Sequence, residues 1–138
     1  MDTLVDYNTA KILKDVDFDV PVEYYYNAEG VWSPDPKWDR KLCRNENGKK
    51  ENFLDYEDCI SAPTVSQVIM WLYEKYKVWV YTRPCLSEEG DWVFKGYTKF
   101  MLNFKSKEYQ TGPRSNPVEA YTAAIQYFLS ISNQLNIR

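Results

Sequence analysis

The chain has no histidine among its 138 residues. Histidine is the commonest general base near neutral pH, and Ser-His-Asp catalysis, Cys-His catalysis and His-ligated zinc all depend on it. An enzyme made from this chain would have to rely on carboxylates, lysine, tyrosine or cysteine. We therefore expect a protein that is not an enzyme, with no catalytic residue, no cofactor and no metal.

Cysteine is scarce as well, with only Cys43, Cys59 and Cys85 at wide spacing and no CxxC pair. Zinc sites and disulfide frameworks need paired spacing, so the thiols are expected to be reduced in a cytoplasmic protein. Cys59 precedes a predicted helix and is the best nucleophile candidate. With no histidine to deprotonate it, a buried structural thiol is the favoured interpretation.

Carboxylates cluster at Asp55, Glu57 and Asp58. Oxygen ligands of this kind could hold a divalent cation, but their spacing matches no calcium loop. A solvated acidic loop is therefore the favoured interpretation.

Long apolar runs are missing too. The first 18 residues, "MDTLVDYNTAKILKDVDF", are acidic and resemble neither a signal peptide nor a membrane span. We expect a cytoplasmic protein without a membrane partner.

What the chain has in quantity is aromatic residues, at 17%, and an uneven charge. Residues 1–63 carry 8 Lys and Arg against 14 Asp and Glu (8 − 14 = −6), and residues 64–138 carry 9 against 6 (9 − 6 = +3), which together give the net charge of −3. Such opposite charges favour two halves that pack on each other. The length predicts one α+β domain over 1–138, with an acidic region at 1–63 and a core at 64–138.

The N-terminal half predicts a helix followed by a β-hairpin. Asn8 is a suitable N-cap for a helix through "TAKILKDV". The stretch "DFDVPVEYYYNAEGVWSP" has alternating residues and a "NAEG" turn, which favours a hairpin. A second short hairpin is possible around Asn47–Gly48.

The C-terminal half has clearer signals. Thr64 and Gln67 form a capping box before an apolar stripe of helical period, and Asn116 and Glu119 form a second one with Pro117 between them. Three strand patterns lie between the helices, with a tight reversal near Lys105–Lys107. The fold class is therefore α+β: a helix plus a β-hairpin, then α-β-β-β-α with two helices packed on one face of an antiparallel sheet.

Alternation predicts that the face away from the helices is rich in aromatic and basic side chains, namely Trp79, Tyr81, Arg83, Lys95, Tyr97, Lys99 and Tyr109. Aromatic rings interleaved with cations can bind single-stranded nucleic acid, since bases stack on the rings and cations neutralise phosphates. So much aromatic area is also costly to leave in water, which favours cover by the acidic, tyrosine-rich hairpin or by a partner. The leading interpretation is an accessory module for interaction with another protein or with itself, and a nucleic-acid-binding accessory protein is the alternative.

Two resemblances add to this reading. The α-β-β-β-α order resembles the double-stranded-RNA-binding fold, but "RSNPVEAYTAA" has Arg114 alone where that family has a lysine cluster. The stretches "TAKILKDVDFDVPVEYYY", "DYEDCISAPTVSQVIMWLYEKYKVWVY" and "NPVEAYTAAIQYFL" resemble small uncharacterised proteins of Bacteroides-type bacteria and their phages or mobile elements. That likeness implies a bacterial or phage origin and no particular activity.

Overall fold

The fold was analysed in a computed structural model that describes residues 3–27, 29–30, 32–34, 50–51, 54–55 and 60–132. Three helices and antiparallel sheets lie within these residues, which confirms the predicted α+β class and its α-β-β-β-α order. The chain divides into two compact units, Leu4–Thr64 and Val65–Arg138 with Met1–Thr3. The single domain over 1–138 stays a prediction.

The first unit starts with helix α1, Tyr7–Asp15. Its N-cap is Asp6, whose side chain accepts a hydrogen bond from the Thr9 amide at 2.7 Å. The prediction of Asn8 as the cap was therefore wrong by two residues. Asp6 itself has the extended backbone that an N-cap requires, with φ −72° and ψ 168°. The helix buries Leu13, and Phe18 is buried just after it.

A small sheet completes the first unit. Strand β1 (Tyr24–Tyr26) pairs antiparallel with β2 (Trp32–Pro34), which confirms the predicted hairpin, and also with β5 (Ile60–Ser61). Tyr26 is buried and donates a 2.5 Å hydrogen bond to the Val5 carbonyl. Strands β3 (Lys50–Glu51) and β4 (Leu54–Asp55) form a further pair. The predicted turn at Asn47–Gly48 lies outside the described residues.

The second unit contains α2 (Val65–Tyr76), β6 (Trp79–Leu86), β7 (Trp92–Leu102), β8 (Lys105–Gln110) and α3 (Pro117–Ser132). The strands form one antiparallel sheet in the order β6-β7-β8. The Asn116 side chain accepts from the Glu119 amide at 2.9 Å, which confirms this N-cap. The Glu119 carboxylate accepts from the Ser115 hydroxyl at 2.9 Å.

Helix α3 lies very close to the middle of β7. A Cβ added at Gly96 would meet the Ala120 carbonyl oxygen at 2.3 Å, so only glycine fits there. Further along, Phe128 of α3 packs edge-on against Phe100 of β7, with ring centroids 5.5 Å apart. Tyr76 of α2 meets the same Phe128 ring at 5.5 Å. We call the sheet face under these helices the inner face.

The reversal between β7 and β8 differs from the sequence expectation. It is a two-residue turn at Asn103–Phe104, since Leu102 pairs directly with Lys105. The prediction of a reversal near Lys105–Lys107 was wrong. Asn-Phe lacks the Asn-Gly signature by which such turns are recognised in a sequence.

Candidate interaction surface

Strand register brings six of the seven predicted surface residues together on one face of the second sheet. Three cross-strand pairs lie in a row: Trp79 with Lys99, Tyr81 with Tyr97, and Arg83 with Lys95. Side chains of directly opposed residues share a face. We call this surface, which lies opposite the inner face, the outer face.

Tyr109 does not belong to the outer face, so its assignment was wrong. It pairs with Thr98, whose side chain is buried on the inner face. Its ring stacks on Phe100 with centroids 5.6 Å apart and meets Tyr127 of α3 at 5.6 Å. The reason is register: a one-residue shift in pairing turns every side chain of a strand to the opposite face.

Two tyrosines and an arginine form a stack at the centre of the outer face. The rings of Tyr81 and Tyr97 are nearly parallel, at 9°, with centroids 5.1 Å apart. The Arg83 guanidinium carbon lies 5.3 Å from the first ring centroid and 4.9 Å from the second. Both rings are half-buried, and they cover each other within the sheet. Their contact area is thus largely used inside the molecule.

A carboxylate that the sequence analysis missed completes this stack. The Tyr81 hydroxyl donates a short hydrogen bond to the Glu108 carboxylate, and Glu108 stands opposite Lys99 in the register. Partial burial of Tyr81, and then this bond and the charge of Glu108, raise the pKa of the phenol. Glu108 could have been found from the sequence only with the correct register of β8, because that register places the even-numbered residues of the strand on the outer face.

Trp79 is the most exposed aromatic ring of the outer face, with 59% of its surface exposed. Its ring lies 4.9 Å from that of Tyr73 on α2, which is 38% exposed. Met70, three residues earlier on the same helix, is exposed as well. We call Met70, Tyr73 and Trp79 the Trp79 patch. Large apolar side chains clustered in water are a feature of binding surfaces.

The remaining candidate groups for chemistry are cysteines and carboxylates. In the part of the chain that the structure describes, no group of three or more cysteine and carboxylate side chains could hold a metal ion. Cys85 is a half-buried free thiol in β6. The other candidates, Cys59, Glu57, Asp58 and the side chain of Asp55, lie outside what is described. None of the three described helices is both long and apolar enough to cross a membrane.

The expectation that the acidic hairpin covers the outer face stays a prediction. The chain matches no protein-family model, no curated protein and no solved structure. The likenesses to the double-stranded-RNA-binding fold and to the Bacteroides and phage proteins therefore also stay predictions.

Proposed function

We propose that this chain is a non-enzymatic protein-interaction module of the cytoplasm that docks an acidic segment of another protein on its outer face. The observation that carries the proposal is the exposure of Trp79, at 59%, next to Tyr73 and Met70. Tryptophan, tyrosine, methionine and arginine are the residue types enriched where proteins bind each other.

The charge of the outer face favours an acidic partner. Arg83, Lys95 and Lys99 contribute three positive charges there, and Glu108 contributes one negative charge. A partner segment with carboxylates around one large apolar side chain would match this surface. The apolar side chain would meet Trp79, and the carboxylates would lie over the cations.

Single-stranded nucleic acid matches the same face less well. Bases need open ring faces to stack on. Tyr81 and Tyr97 already stack on each other, so the ring faces between them are closed to bases. Nucleic acid is thus the alternative outcome of the experiment below.

The test is selection of peptides from a random display library on the whole chain. The recovered peptides are then measured individually against wild type, Trp79→Ala and Trp92→Ala. Trp92 is a matched control, since it is 63% exposed but pairs with Leu86 at the far end of the sheet. We expect acidic peptides with an aromatic or aliphatic anchor, whose affinity falls about 30-fold in Trp79→Ala and stays unchanged in Trp92→Ala.

Peptides that bind wild type and Trp79→Ala equally well would contradict the proposal, and so would a basic consensus. Titration with single-stranded DNA and RNA decides the alternative. Saturable, salt-sensitive quenching of tryptophan fluorescence that is lost when Lys95 and Lys99 are changed to Glu would assign the face to nucleic acid.

A further inference from the structure

The β7–β8 turn is strained by an unexpected residue. Asn103 and Phe104 have φ angles of 52° and 64°, both in the left-handed region. A two-residue hairpin turn of this kind favours Asn at its first position and Gly at its second. A bulky side chain at the second position is strained, and strained residues of this kind cluster at functional sites.

Phe104 gains nothing from packing in return for this strain. Its side chain is 99% exposed, the highest value among the exposed large apolar residues that the structure describes. A glycine would relieve the backbone, and a polar residue would suit the solvent. The position therefore combines an unfavourable backbone with an unfavourable side-chain environment, which points to a role outside the fold.

The surroundings of Phe104 are basic. Residues 99–107, "KFMLNFKSK", contain three lysines and no acidic residue, and the next residue, Glu108, lies opposite Lys99. Lys99, Lys105 and Lys107 are all exposed. Met101, one pair back from the turn and opposite Ser106, is 60% exposed. The hairpin end therefore presents an aromatic apex, a second apolar side chain and the ammonium groups of Lys105 and Lys107.

We propose that the β7–β8 turn is a peripheral anchor for an anionic lipid surface. Phe104 enters the boundary between head groups and acyl chains, and Lys105 and Lys107 lie among the phosphates. Lysine stems can lie along apolar surface while the ammonium group stays in the polar layer. The expectation of no membrane partner rested on the lack of an apolar run, and a surface anchor needs none.

A lipid surface fits this turn better than a protein pocket does. Lysines close to one another are typical of segments attracted to anionic leaflets. A single protruding ring also needs no complementary cavity to enter a bilayer. This inference uses residues outside the Trp79 patch and does not depend on the proposed function.

The expected binding is reversible and sensitive to salt. Each lysine near an anionic surface strengthens partitioning by about fivefold, and burial of the Phe104 ring by about tenfold. Stable membrane association takes two such signals. In this turn the Phe104 ring supplies the apolar signal, and Lys105 and Lys107 supply the electrostatic signal.

The test is flotation of the whole chain with vesicles of phosphatidylcholine alone and of phosphatidylcholine mixed with phosphatidylserine. We expect binding to the mixed vesicles only. The partition coefficient should fall about tenfold in Phe104→Gly and about fivefold in each of Lys105→Gln and Lys107→Gln. Trp92→Ala, which removes an equally apolar side chain from the other hairpin of the sheet, should bind as wild type does.

Phe104→Gly separates loss of binding from loss of fold. Glycine suits the left-handed position, so this variant should resist urea better than wild type while it binds vesicles less. The proposal is overturned if wild type fails to float with the mixed vesicles at low salt. It is overturned equally if Phe104→Gly floats as wild type does, since charge alone would then explain the adsorption. If wild type does not bind the vesicles and Phe104→Gly no longer binds the peptides selected above, the turn belongs to a protein partner instead.

Discussion

The two faces of the β6-β7-β8 sheet bury their residues in different ways. On the inner face, Phe100 and Thr98 are closed off beneath α3, and the helix backbone comes so close that Gly96 has no room for a side chain. On the outer face, Tyr81 and Tyr97 are only half-buried, and each owes part of its cover to the other. One face is closed by a helix and the other by its own side chains.

This difference separates stability from binding within one small sheet. A helix in backbone contact with a strand leaves little freedom, because close-packed interiors respond to the addition of even one methyl group. Side chains that stack at a surface can rearrange when a partner arrives. The inner face should therefore be sensitive to substitution in folding experiments, and the outer face in binding experiments.

Gly96→Ala tests the close contact between α3 and β7 on the inner face. The new Cβ would lie 2.3 Å from the Ala120 carbonyl oxygen and 3.0 Å from the Ala124 Cβ, so α3 would have to move away from β7. We expect the free energy of unfolding to fall by about 3 kcal/mol. Urea denaturation followed by circular dichroism measures this loss as a lower midpoint.

Gly112→Ala is the matched control for this substitution. An added Cβ there meets only the end of the Arg114 side chain, at an ordinary distance of 3.6 Å. The change should stay within about 0.5 kcal/mol of wild type. Equal losses at Gly96 and Gly112 would mean that the tight approach of α3 is not what limits the inner face.

Much of the second unit was predictable because its signals are local. The caps before α2 and α3 and the apolar stripes behind them placed both helices to within a residue of their observed starts. Alternation over β7 predicted the separation of its two faces. Signals of this kind depend on neighbours a few residues apart, which a sequence shows directly.

The failures concern relations between strands. The assignment of Tyr109 to the outer face rested on a reversal near Lys105–Lys107, whereas the chain turns at Asn103–Phe104. The shift of register turned Tyr109 inward and Glu108 outward. Alternation shows which residues of one strand share a face. Which face of the neighbouring strand they match depends on where the chain turns, and Asn103–Phe104 lacks the Asn-Gly pair by which such a turn is recognised. Six of the seven residues predicted for the candidate site lie on the outer face. Glu108 on β8 and the exposed Met70 and Tyr73 on α2 were missed.

Tyr97→Leu tests how much the stacked rings of the outer face contribute to stability. The substitution keeps an apolar side chain but removes the stacked ring and one partner of the Arg83 guanidinium. We expect a loss of about 1.5 kcal/mol in unfolding free energy, half or less of the loss at Gly96. A double-mutant cycle with Arg83→Met isolates the coupling, and a coupling of zero would mean that the stack contributes nothing to stability.

A third substitution should stabilise the inner face. The Thr98 hydroxyl is buried, and it has no hydrogen-bond partner among the described residues. Thr98→Val keeps the shape and removes the unpaired polar group, so we expect a gain of about 1 kcal/mol. Thr111→Val is the control, since the Thr111 hydroxyl donates to the Gly96 carbonyl at 3.3 Å and its loss should cost stability. A lower urea midpoint for Thr98→Val would contradict the view that the buried Thr98 hydroxyl is unpaired.

The phenol of Tyr81 gives the outer face a small dependence of stability on high pH. Partial burial and the bond to Glu108 raise the pKa of Tyr81 above the ordinary value of about 10. The folded state thus holds this proton more tightly than the unfolded chain does. The contribution to stability is fully present below pH of about 10 and is lost as the pH rises through the folded pKa of Tyr81.

Tyrosinate absorbance of wild type minus that of Tyr81→Phe isolates the titration of this one phenol. We expect its midpoint above that of a free tyrosine, and closer to it in Glu108→Gln, where the negative charge is gone but an oxygen acceptor remains. A midpoint at or below that of free tyrosine would show that the Tyr81–Glu108 bond does not persist in solution, and the outer face would then be more open than its stacked rings indicate.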